Sequence, residues 1–117
     1  RVSSAASRIA GERPVSTSES ARSRVLEARS RAERRLRETP WAVNAEVPGA
    51  FLRSSPIALD PHAVRPLDRG LERGALTMRG YDRVLRVAWT LADLRGTESP
   101  DYDDVCRALF LRKGIAA

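Results

Sequence analysis

Thr77-Met78-Arg79-Gly80-Tyr81-Asp82-Arg83-Val84-Leu85-Arg86-Val87-Ala88-Trp89-Thr90-Leu91-Ala92-Asp93-Leu94-Arg95-Gly96 carries the strongest helical pattern in the chain. Tyr81, Val84, Leu85, Ala88, Leu91 and Ala92 recur at the spacing of one buried helix face. Arg79, Asp82, Arg83, Arg86, Thr90 and Asp93 recur on the other side, with Asp82 and Arg86 spaced as an i,i+4 ion pair. Thr77 suits an N-cap and Gly96 a position just past the last turn. Val87, Trp89 and Leu94 widen the apolar arc, so more than one neighbour should cover this helix. The stretch predicts the central helix, about 78–95, of a small all-helical domain.

Working outward, three more helices are expected. The first spans about 19–38, capped by Ser18 or Ser20 and ended by Thr39-Pro40. Its stripe of Ala21, Val25, Ala28, Ala32 and Leu36 is thin and buries little. The second spans about 61–73, with Asp60 as N-cap, Pro61 at the first position and Gly74 past its end. Val64, Leu67 and Leu71 mark its inward face; Pro66 removes one hydrogen bond and predicts a kink or a late start. The last spans about 102–112, with Asp101 as cap and Tyr102, Val105, Cys106, Leu109 and Phe110 as its apolar face. Residues 40–58 form a proline-rich connector with one short helical turn near Gly49–Arg53. Trp41, Val43, Phe51, Leu52 and Ile57 should pin it to the core. Residues 1–17 are Ser/Arg-rich and are expected to be disordered. The chain starts with Arg, as a fragment of a longer protein would.

Its 117 residues suit one domain. No apolar run approaches the roughly 20 residues of a membrane span, and no signal-peptide core is present. The single cysteine, Cys106, excludes an internal disulfide and fits a cytosolic protein; it reads as a buried small apolar group. The lone His62 reads as a surface residue. Neither residue has the partners of a metal cluster or a hydrolytic triad. The only lysine, Lys113, precedes Gly114, so no phosphate-cradling Walker loop exists and the chain alone should not hydrolyse ATP. The net charge of +6 sits mostly before residue 59, where eleven Arg face six Glu. A basic excess attracts nucleic acid or an acidic surface, although an Arg/Glu helix is also simply a solvated one.

Four features carry a family resemblance. They are Glu19-Ser20 leading into a helix with Arg24-Val25 and Ala28-Arg29, and Asn44-Ala45-Glu46 in the connector. Next comes Tyr81-x-Arg83-Val84-Leu85-Arg86-Val87-Ala88-x-Thr90-x-Ala92-Asp93-Leu94, and last Val105-x-x-Ala108-Leu109-x-x-Arg112. From Ser18 to Lys113 the chain resembles the C-terminal domain of the Mg-chelatase-like AAA+ ATPases, the ComM/YifB type. The resemblance implies an all-α, four-helix lid that follows a nucleotide-binding core. It implies that Arg79, in Met78-Arg79-Gly80, is the sensor-2 arginine that reaches the γ-phosphate of ATP. ATP and Mg2+ would belong to the parent protein, and none would be bound by this fragment alone. The AAA+ core of the same chain and neighbouring ring subunits are the implied partners.

The physics of a helix start agrees, because its free N–H groups and partial positive charge favour anions. Gly80 costs helix stability, roughly 0.5–1 kcal/mol against Ala, and is understandable if something must approach closely. Arg79, Gly80 and Arg83 are therefore the candidate nucleotide contacts. Arg83 and Arg86 have a plainer reading as ion pairs, with Asp82 or, for Arg86, Thr90 or Asp93. Trp89 departs from the family pattern and hints at an apolar contact surface. Two other functions remain open: a DNA-binding module using the basic residues 22–37, since competence-type relatives are thought to act on branched DNA, and a subunit-interaction module using Trp89 or Trp41.

Overall fold

A computed structural model describes residues 13–54 and 57–116, with side-chain environments for 18–54 and 57–112. Its elements are α1 (Arg13–Arg35), a 3-10 turn (Asn44–Glu46), α2 (Gly49–Leu52), α3 (Pro61–Glu72), α4 (Met78–Arg95) and α5 (Tyr102–Ala116). The described residues contain no strand, so the domain is all-α as the periodicity predicts. Part of the tail expected to be disordered, residues 1–12, lies outside the described residues.

The hub is α4, which contacts α1, α2, α3 and α5. Thr77 caps it by accepting a hydrogen bond from the Gly80 amide at 3.1 Å. Gly96, at φ 88°, ends it. The Thr97 amide then donates to the Ala92 carbonyl at 3.0 Å and the Gly96 amide to Asp93 at 3.2 Å, a Schellman closure. Gly74, at φ 75°, closes α3 the same way, with Ala75 donating to Gly70 at 2.9 Å. Asp101 and Asp104 start α5 as a reciprocal capping box: each backbone N–H donates to the other's carboxylate, at 3.2 and 2.9 Å.

The core gathers Leu36, Val47, Leu52, Leu67, Leu76, Tyr81, Val84, Leu85, Ala88, Trp89, Val105 and Ala108. Each large aliphatic side chain among them stabilises the fold by about 1.5–3 kcal/mol. Trp41, Phe51 and Ile57 pack against this cluster and hold the connector, with the Trp41 and Phe51 rings 5.1 Å apart. The one-turn α2 falls where the connector reading put it.

Several sequence expectations need correction. Helix α1 begins at Arg13 rather than near residue 19 and ends at Arg35, with Thr39 donating its hydroxyl to the Leu36 carbonyl at 2.7 Å. Asp60 precedes α3 without a side-chain capping bond, and Pro66 neither delays nor divides the helix. The α5 helix runs to Ala116, beyond the expected end at 112. Val25 and Val43, expected inside, are exposed. On α5 the buried positions are Asp104, Val105 and Ala108, Cys106 is half-buried, and Tyr102 and Phe110 face outward. The Asp82–Arg86 pair does not form: Asp82 binds Arg53 at 2.9 Å, and Arg86 donates to the Val47 carbonyl at 2.8 Å.

Candidate functional site

At the first turn of α4 the sequence candidates separate. Arg79 and Arg83 are exposed, one turn apart, and among the described residues neither makes an ion pair or a side-chain hydrogen bond. Gly80 is buried between them, and its amide is already bound to Thr77. A Cβ at Gly80 would lie 3.0 Å from Leu76 Cδ1 and 3.2 Å from Arg112 Nε. The close approach that explains this glycine is therefore made by the protein's own Arg112 and Leu76. Two guanidiniums at the mouth of a capped helix N-terminus are suited to an anion with several acceptor oxygens.

The opposite end of α4 is locked rather than open. Asp93, only 1% exposed, receives two hydrogen bonds from the Arg35 fork, both at 2.8 Å. Asn44 Nδ2 donates to the same carboxylate at 2.9 Å, while its Oδ1 accepts from Arg35 at 2.8 Å. The Arg35 guanidinium also lies 4.2 Å above the Trp89 ring. Arg31 adds a bond to the Asp93 carbonyl at 2.9 Å. The Asn44 and Asp93 motif positions thus meet in a structural tie between α1, the connector and α4. Trp89, expected as a contact surface, is 2% exposed and belongs to the core. Its Nε1 has no hydrogen-bond partner.

Elsewhere, the Tyr81 hydroxyl donates to Asp68 at 2.9 Å. Burial, and then that bond, push its pKa up to about 12. Arg95 reaches Asp104 at 2.7 Å and Asp101 at 3.3 Å. The Asp104 amide's bond to Asp101 is the main cause holding the Asp101 carboxyl below its ordinary range. His62 stacks on Tyr102, ring centres 5.0 Å apart, at the surface. Among the described residues no group of three His, Cys, Asp or Glu could hold a metal ion. No helix there is long and apolar enough to cross a membrane. Periodicity did not single out Arg65, Arg69, Arg73 and Arg112, which surround a cleft of about 270 Å³ between α3 and α5. Three of them recur every four residues, a signal the sequence does contain.

The described helices form a small all-α domain with an exposed arginine pair at the capped start of its central helix. The chain belongs to the family described as magnesium chelatase, subunit ChlI C-terminal, which matches residues 15–112. It is a C-terminal domain of Mg-chelatase-like proteins. Similar proteins are uncharacterised ones of Mycobacterium bovis and Mycobacterium tuberculosis, 47% identical over 92 residues. That match covers 79% of this chain and 18% of each relative, so the chain spans about a fifth of their length. No solved structure matches it.

Proposed function

We propose that this domain is the lid of a cytosolic AAA+ ATPase, in which Arg79 acts as the sensor-2 arginine. The observation that carries the reading is the state of Arg79: exposed and unpaired among the described residues, at the start of a helix whose body is fixed on four sides. Arg79 would donate to the γ-phosphate oxygens of ATP held by a core domain, and Arg83, one turn on, would add a second positive charge. Mg2+ and the hydrolytic water would be handled by that core. Because α4 is tied to α1 through Asp93 and Arg35, displacement of its first turn would move the lid as one body and pass to neighbouring ring subunits.

The surface offers a place for the core. Val25, Val43 and Leu94, at 42%, 45% and 37% exposure, line one groove between α1, the connector and α4. Solvent-facing aliphatics gathered in one groove support a covered interface. The test is Arg79→Ala in a longer chain carrying the core domain. ATP turnover should fall roughly a hundredfold, the scale for losing one preorganised donor, with helicity unchanged. Unaltered turnover would overturn the assignment.

A further inference from the structure

The cleft between α3 and α5 has no role in that reading. Arg65, Arg69 and Arg73 follow one another at i, i+4 and i+8 along α3, and Arg112 faces them from α5. Among the described residues none of the four makes an ion pair or a side-chain hydrogen bond. Asp68 accepts from Tyr81, and among the described residues no ion pair joins Glu72 or Asp103 to these arginines. Like charges one turn apart weaken a helix, by about 0.2–0.5 kcal/mol per pair. A bound anion would relieve that repulsion. The floor, from Leu76 and Leu109, is apolar and lowers the local dielectric, which strengthens any charge pairing above it.

We propose that this cleft is a second phosphate-binding site, separate from Arg79, for a ligand that carries two or more adjacent phosphate groups. Four arginines line about 270 Å³. Balancing them there requires high charge density. Each phosphate brings several acceptor oxygens and suits the arginine fork bidentately, whereas carboxylates bring one charge each and the bulk of their own peptide. Gly80 enters the argument from behind: with no Cβ there, the Arg112 guanidinium lies against the first turn of α4 and still lines the cleft. The same chemistry is offered by a free polyphosphate, such as a nucleotide, and by consecutive phosphodiesters of a nucleic-acid strand.

The experiment uses the 117-residue chain at low salt with two probes. Inorganic triphosphate is titrated by calorimetry, and a dye-labelled twelve-residue oligothymidylate by anisotropy. Saturable binding of at least one is expected. The Arg69→Gln/Arg112→Gln double variant should lose tenfold or more in affinity with its circular dichroism intact. Arg22→Gln/Arg29→Gln, on the exposed face of α1, should change it less than twofold. The same tenfold loss should appear when the double variant is made in an Arg79→Ala background, which keeps this site's fate apart from that of the lid reading. Triphosphate binding as tightly as the oligonucleotide identifies a free polyphosphate. Oligonucleotide binding with a salt slope of about −2 to −3, as neutralising three or four phosphates requires, and resistant to triphosphate, identifies a strand. Binding of neither probe, equal loss in the α1 variant, or binding of polyglutamate alone would overturn the proposal.

Discussion

Asp93 and Arg35 show what a single buried charge demands. The Asp93 side chain is 2% exposed, and the Arg35 side chain 14%. Taking away one partner of a buried pair costs about 3–5 kcal/mol. Arg35→Ala, which strands the more buried charge, should lie in that range by urea unfolding, and Asp93→Ala below it because Arg35 can turn toward water. Tyr81 makes a pH prediction. Its pKa rises from 10.0 to about 12 in the fold, so the neutral hydroxyl is favoured there. The contribution is complete below pH 10 and is lost as pH climbs through 12. Tyr81→Phe should flatten that alkaline decline in melting temperature. The sequence placed Tyr81 inside correctly, yet set Asp93 on the solvent side. Helical periodicity sorts residues by angle, and it cannot know that α1 will present an arginine to that angle. Gly80 was noticed for a close approach, and the neighbours are Leu76, four residues upstream, and Arg112 from α5.

At the level of elements, both ends of α4 and the close of α3 were more legible than the faces. Thr77, Gly74 and Gly96 work as the residue types dictate, because caps are local chemistry. Gly96→Ala should destabilise the domain by about 1 kcal/mol, since its φ of 88° strains any residue with a Cβ; thermal unfolding measures it. The α5 face was misdrawn for a non-local reason. Asp104 is drawn inward by its bonds to Arg95 and Asp101, which rotates Val105 and Ala108 into the core and turns Phe110, 72% exposed, outward. Arg79 and Arg83 were legible as exposed because no ion pair or side-chain hydrogen bond among the described residues draws them inward. The α3 arginines were not, because their significance appears only when Arg112 closes the cleft.

As a whole the domain is elongated. Its radius of gyration is 17.1 Å and its extents are 51 × 35 × 22 Å, against about 13 Å for a compact chain of this length. The upstream part of α1 leaves the core: from Arg22 to Glu27 every residue is exposed, and only Ala28, Ala32 and the following Leu36 are buried. A thin alanine stripe was visible in the sequence, and so was its weakness. Val25→Ser should alter the isolated domain's stability by under about 0.5 kcal/mol, as an exposed substitution does. The same change should loosen its association with a co-expressed core domain, measured by calorimetry.

The guanidinium lying on Trp89 makes the tie between α1 and α4 optically visible. One indole is sealed and cation-capped, while Trp41 sits at the half-open edge of the connector. Detaching α1 would wet the first ring and redden its emission without touching the second, so fluorescence would follow the arm's release in real time.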